Sequence, residues 1–213
     1  MIEIIDNAIQ LLAAAGCTAA ALVFTMRSRD RAWILLGLFS GVYFLGDLYW
    51  LLYLFFYRDT PDYSFVSDPS WYAAYLFLLL LMFQIGKERE YPHRVVLRRK
   101  ILWIIPAFTA VACVFFMRWG DYAGNLVAAG FMTLLLLYSL DGFLSAREGL
   151  FCKGRPAFGY GIIFIFCLIE YALWITSCYW MGDTFKNPYF WFDGLMTITL
   201  LLFPAALRKA VSA

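Results

Sequence analysis

The sequence predicts an all-α, polytopic membrane protein with seven transmembrane helices. Hydrophobic residues fill 63% of the 213 positions and charged residues only 15%, a balance that leaves too little polar surface for a soluble domain of this size. Seven long apolar runs occupy most of the chain, and at about 20 residues per bilayer crossing they use nearly all of it. A third observation bears on function, because three of these runs carry a carboxylate: Asp47, Glu170 and Asp193. A charged side chain at the bilayer centre costs at least about 2.5 kcal/mol to insert, so an acid there is a candidate functional residue.

The runs follow in order. The first spans Ala8 to Met26 and stops at Arg27, and the second spans Ala32 to Tyr57, between Arg31 and Arg58. Gly37 and Gly41 in the second run form a small-xxx-small step suited to close helix packing. The third, Ser70 to Gly86, opens after Pro69 and ends at Lys87; the fourth, Ile101 to Met117, lies between Lys100 and Arg118. The fifth spans Tyr122 to Ser145, the sixth Phe158 to Met181, and the seventh Tyr189 to Leu207, between Pro188 and Arg208. The whole chain, 1–213, is expected to be a single transmembrane domain.

Charge sets the expected orientation. Connections at 27–31, 87–100 and 147–155, with the terminal Arg208 and Lys209, hold 14 of the 17 Lys and Arg residues. The alternate connections hold only Arg58, Arg118 and Lys186, together with Glu3, Asp6, Asp59, Asp62, Asp68, Asp121 and Asp183. By the positive-inside rule the N-terminus is outside and the C-terminus cytoplasmic, in a plasma membrane of the bacterial inner-membrane kind. The basic stretch from Lys87 to Lys100 is then topogenic and faces anionic lipid headgroups. It is too short to present a nucleic-acid reading element, so no nucleic-acid partner is expected.

The residue inventory excludes much chemistry. His93 is the one histidine and sits in a basic connection, so neither a Ser/His/Asp relay nor an imidazole zinc site can be built within the membrane. Cys17, Cys113, Cys152, Cys167 and Cys178 include no Cys-x-x-Cys pair and behave as small hydrophobes. The seventh run has no lysine before Lys209, so a retinal Schiff base has no anchor. Ala14-Ala15-Gly16-Cys17 imitates a lipoprotein cleavage box, yet Glu3 and Asp6 precede it with no Lys or Arg, so the first helix is expected to be retained. Asp141-Gly142 followed by Ala146-Arg147 is similar to part of the signature of CDP-alcohol phosphotransferases, but the spacing is one residue too long and the other aspartates are missing. Asp141 is expected to cap the cytoplasmic end of its helix near Arg147. No cofactor or metal is expected, and enzyme activity is the least favoured class.

An internal similarity suggests a repeat. Gly46-Asp47-Leu48-Tyr49-Trp50, Asp59-Thr60 and Pro69-Ser70-Trp71-Tyr72 can be laid against Glu170-Tyr171-Ala172-Leu173-Trp174, Asp183-Thr184 and Pro188-Tyr189-Phe190-Trp191. The two halves start from the same side of the membrane, which makes a 3+1+3 parallel internal repeat: residues 8–86 and 122–207, with the fourth helix, 101–117, as linker. This layout is similar to that of sugar transporters of the SWEET and PQ-loop type and of seven-helix rhodopsins. The likeness is one of layout, since the Pro-Gln pair is absent and the first helix has no helix-breaking proline.

Depth brings the acids together. Glu170 falls near the midplane, Asp47 slightly outside it, and Asp193 about one turn into the seventh helix. Helical spacing sets Tyr43 and Trp50 beside Asp47, Phe166 and Trp174 beside Glu170, and Tyr189 and Thr197 beside Asp193. Helix three offers Trp71, Tyr72 and Tyr75 at that level, and Trp191 opens the seventh helix. The candidate ligand site is therefore Tyr43, Asp47, Trp50, Tyr72, Tyr75, Glu170, Trp174, Trp191 and Asp193. Carboxylates beside aromatic faces suit a cationic guest, and such acids can also carry protons. Other external aromatics, including Tyr57, Trp119, Tyr122 and Trp180, are expected to form an interfacial belt. The leading expectation is a transporter for a small cationic solute, coupled to proton or cation. The alternative is a sensor or accessory subunit signalling through a partner membrane protein or a second copy, and the third is an intramembrane carboxylate enzyme.

Overall fold

The computed structural model describes residues 2–57, 66–88, 100–120, 122–148, 155–177, 179 and 183–211. Among these residues the secondary structure is entirely helical. The α-helices are α1 (Ile2–Ser28), α2 (Arg31–Tyr57), α3 (Ser67–Glu88), α4 (Ile104–Phe116), α5 (Tyr122–Arg147), α6 (Ala157–Ser177) and α7 (Pro188–Val211). Short 3-10 turns, Lys100–Trp103 and Met117–Trp119, extend α4 at both ends. With those turns counted, all seven are long and apolar enough to cross a membrane. That is compatible with an integral membrane protein and suggests several passes.

Local chemistry explains the ends. Arg29 adopts a left-handed conformation, φ 54°, and its N–H donates to Thr25 O at 2.9 Å, closing α1. Asp30 then caps α2 by accepting the Ala32 N–H on Oδ1 at 2.8 Å. Pro188 opens α7 in the position where its missing N–H costs nothing, and Asn187 Oδ1 accepts the Tyr189 N–H at 3.1 Å. Pro106 sits in the first turn of α4 for the same reason. The largest departure from the expected spans is α1, which starts at Ile2 rather than Ala8. Asp6, Asn7 and Gln10 extend the helix because their side of it faces other helices, where polar groups are tolerated.

Six helices pack as a closed ring in the order α1, α2, α3, α5, α6, α7, with α7 returning to α1. α2 also meets α7, and α3 meets α6. α4 stands beside the ring against α5, and its Phe108 and Phe116 rings reach Tyr171 and Trp174 of α6 at 5.4 and 5.8 Å. The expected small-residue step holds α1 close to α2: a Cβ on Gly37 or Gly41 would meet Ala21 or Thr18 at 3.5 and 3.6 Å, and Thr18 donates to Ser40 Oγ at 2.9 Å. Where α5 crosses α6 the fit is tighter, since a Cβ on Gly142 would lie 2.5 Å from the Tyr160 ring. That ring is tethered, because Tyr160 donates to Met82 O of α3 at 3.1 Å.

One end of the bundle is basic. Arg208 of α7 lies over Phe24 of α1, and Lys209 over Phe158 of α6, so the C-terminal ends of α1 and α7 meet the start of α6. Asp141 is buried, 1% exposed, within α5 rather than at its end. Arg147 instead lies over the Phe143 ring, so the expected cap is not formed between Asp141 and Arg147. Large apolar side chains such as Leu12, Met26 and Val111 stand exposed around the outside, a surface that suggests lipid contact in a membrane. Cys17, Cys113 and Cys167 are buried free thiols; Cys152, Cys178, His93 and Trp180 lie outside the described residues.

Candidate functional site

α2 presents Tyr43, Asp47 and Trp50 on one stripe, at the i, i+4 and i+7 spacing that keeps side chains on one helix face. α6 presents Phe166, Glu170, Leu173, Trp174 and Ser177 by the same rule, and α7 adds Tyr189 and Asp193. These stripes converge in the half of the bundle away from the basic end, around a cavity of about 220 Å³. Its walls are Asn7 and Gln10 of α1, Tyr43, Asp47 and Trp50 of α2, Trp71 of α3, Glu170, Leu173, Trp174 and Ser177 of α6, and Tyr189 and Asp193 of α7. All three acids therefore line one space, and among the described residues no Lys, Arg or His lines it.

Each acid is held differently. Glu170 is buried and receives two tyrosyl hydroxyls, Tyr75 on Oε1 at 2.5 Å and Tyr43 on Oε2 at 3.3 Å. Asp47 accepts the Trp71 indole N–H on Oδ1 at 3.2 Å. Gly46 makes that approach possible, because a Cβ there would sit 2.7 Å from Trp71 Nε1. Asp47 Oδ2 is buried with no hydrogen-bond partner among the described residues. The same is true of Asp193 Oδ2 and of Asp6 Oδ2 of α1, and the Asp6 and Asp193 carboxyls stand close enough to interact.

Below the acids, toward the basic end, Phe39, Phe166 and Phe203 form an aromatic floor. Their ring centroids lie 5.3, 5.2 and 5.8 Å apart, and all three are at most 1% exposed. Tyr43 meets Phe166 edge-on at 5.7 Å, so the floor and the Glu170 site share a wall.

Of the residues expected to form the site, Tyr43, Asp47, Trp50, Glu170, Trp174 and Asp193 line the cavity. Tyr75 lies one layer behind it, wholly buried against Glu170. Tyr72 faces α5, donating to Gly124 O at 3.2 Å and stacking on Phe131. Trp191 is 63% exposed, and its indole donates to Phe185 O at 3.1 Å. Sequence reasoning missed the α1 contribution. Asp6 was assigned to the external charge and Asn7 fell outside the expected span, yet Asn7 and Gln10 are buried in line with Ala14, Cys17 and Ala21, at alternating spacings of three and four that mark one helix face.

Carboxylates and aromatic faces around one cavity make a surface that can attract positive charge, since the acids supply field and the rings add quadrupolar attraction. Among the described residues no group of three His, Cys, Asp or Glu side chains is placed to hold a metal ion. No protein-family model, no curated protein and no solved structure matches the chain.

Proposed function

We propose that this chain is a plasma-membrane transporter that takes up a small organic cation through the acidic, aromatic cavity, with the basic end in the cytoplasm and the cavity facing outward. The observation that carries the reading is the pair of buried carboxylate oxygens, Asp47 Oδ2 and Asp193 Oδ2, which lack partners among the described residues and belong to acids lining one cavity. Leaving a buried carboxylate oxygen unmatched costs several kcal/mol, and an ammonium seated between them offsets that cost. Trp50, Trp71 and Trp174 line the same cavity and bring aromatic surface to such a guest. The volume, equal to about seven waters at roughly 30 Å³ each, suits a compact ammonium rather than a drug-sized ligand.

Transport is favoured over static binding by the packing. Exchanging α1, α2 and α3 for α5, α6 and α7 maps the ring's helix pairings onto themselves: α1 with α7 becomes α5 with α3, and α2 with α7 becomes α6 with α3. Two three-helix bundles paired in this way can rock about a central site, and in this reading the Phe39, Phe166 and Phe203 floor is the closure that must part for release inward. Asp6 and Asp193, each with a buried carboxyl oxygen that lacks a partner among the described residues, are the groups this reading assigns to proton coupling.

The test uses purified protein in micelles, titrated with choline and with its neutral isostere 3,3-dimethylbutanol. Choline should raise the unfolding temperature saturably and the isostere should not. Asp47→Asn and Asp193→Asn should each remove the effect while leaving folded protein. Equal stabilisation by both compounds would overturn cation binding, and absence of choline uptake into proteoliposomes under either pH gradient would overturn transport.

A further inference from the structure

We infer that the groove between α1 and α7 at the basic end is a binding site for an anionic phospholipid. On the outer side of the bundle Gly16 and Ala20 of α1 face Pro204 and Ala205 of α7, and these small residues leave a slot of about 630 Å³. A Cβ built on Gly16 meets no atom within 4 Å. Leu201 and Phe24 line the slot, and at its end stand Arg208 and Lys209. From Gly16 to Phe24 the helix rises about 12 Å, the length over which an extended chain can lie against it.

The occupant follows from chemistry and place. The slot opens onto the apolar outer surface of the bundle, so in a membrane it meets lipid rather than a soluble guest. Arg208 and Lys209 both line its far end, and a guanidinium and an ammonium there suit a headgroup of net negative charge better than a zwitterionic one, whose own ammonium they repel. Arg208 is held at the slot's rim by the Phe24 ring, 5.8 Å below its guanidinium carbon. Lys209 also closes a second apolar groove of about 350 Å³ between α6 and α7, lined by Phe158, Gly161, Ile165 and Leu202. The last turn of α7 thus carries one headgroup site with an apolar groove on either side, which accommodates the two acyl chains of a diacyl lipid. Basic pockets between transmembrane helices on the cytoplasmic side have this character in general. The site is remote from the acidic cavity and does not depend on what the cavity binds.

The full chain in micelles is titrated with dioleoyl phosphatidylglycerol, with phosphatidylcholine of the same chains, and with glycerol phosphate, reading bound lipid by native mass spectrometry. Phosphatidylglycerol should bind saturably. Replacing both cations, Arg208→Gln with Lys209→Gln, should weaken it about twenty-fivefold, taking roughly fivefold for each cation near an anionic surface. Gly16→Leu should abolish the same binding with both charges intact, by filling the slot; leucine favours helix over glycine, so the fold is preserved. Choline stabilisation of Gly16→Leu should match the unaltered chain. Equal binding of phosphatidylcholine, competition by glycerol phosphate at similar concentration, or undiminished binding to Gly16→Leu would each overturn the proposal.

Discussion

The bond between Tyr75 and Glu170 should be among the strongest single polar contacts between helices in this protein, and a double-mutant cycle can measure it. Tyr75→Phe deletes one hydroxyl and Glu170→Leu removes its acceptor. Interhelical hydrogen bonds in membranes contribute about 0.6 kcal/mol on average and reach about 1.7. Hydrogen bonds to a charged group contribute about 1.5–3 kcal/mol, and Glu170, which receives two tyrosyl hydroxyls, is placed to be such an acceptor. The expected coupling is therefore about 1.5–3 kcal/mol, measured by reversible unfolding in mixed micelles across the four proteins. Tyr43→Phe, whose hydroxyl stands 3.3 Å from the other oxygen, should couple more weakly with Glu170. An internal control is Thr109 and Thr133, neutral hydroxyls 2.7 Å apart between α4 and α5, whose cycle to valine should give the ordinary value of about 0.6 kcal/mol. If Tyr75 and Glu170 couple no more strongly than the two threonines, Glu170 is not held as a charged acceptor and the electrostatic account of the cavity fails.

Three further outcomes are expected. In a cysteine-free background, Lys186→Cys, on a side chain 77% exposed, should react with an impermeant thiol reagent from outside intact cells, and Ser28→Cys only after permeabilisation; the reverse pattern inverts the proposed orientation. Gly142→Ala should destabilise by about 1–3 kcal/mol, because the added methyl meets the tethered Tyr160 ring, whereas Gly130→Ala in the same helix, with open space around it, should be neutral or stabilising by up to about 1 kcal/mol in thermal unfolding. Gly46→Ala should push the Trp71 indole from Asp47 and lower choline affinity about tenfold, the equivalent of one good hydrogen bond. Trp71→Phe should do the same, and the two combined should be no worse than either, since they remove one contact; additive losses would sink that account.

The apolar runs made the helices legible, because bilayer-length segments bounded by charge leave little freedom in where a helix can lie. That Asp47, Glu170 and Asp193 would come together around one space was legible too, from depth and spacing alone. Two errors of detail had their answers in the same spacing. Trp191 stands two residues before Asp193, about 200° round the helix, so it could not share the face that Tyr189 shares at four residues. Polar character hid the start of α1: Asp6 and Asn7 read as exterior until the alignment of Asn7 and Gln10 with buried Ala14, Cys17 and Ala21 is seen. The position of α4 beside the ring was not legible, since apolarity reports lipid or protein contact alike and does not distinguish between them.

The contact between Asp6 and Asp193 has a consequence for how the protein is made. The first helix and the last close the ring, and these two acids lie roughly 190 residues apart in the chain. At about 5–20 residues per second, α1 waits some 10–40 s for α7. Throughout that interval Asp6, Asn7 and Gln10 have none of their α7 neighbours, and the newly inserted helix must keep that polar side toward headgroups or other helices. Ring closure therefore waits for α7, and the cavity does not exist until that helix has joined α1 and α6.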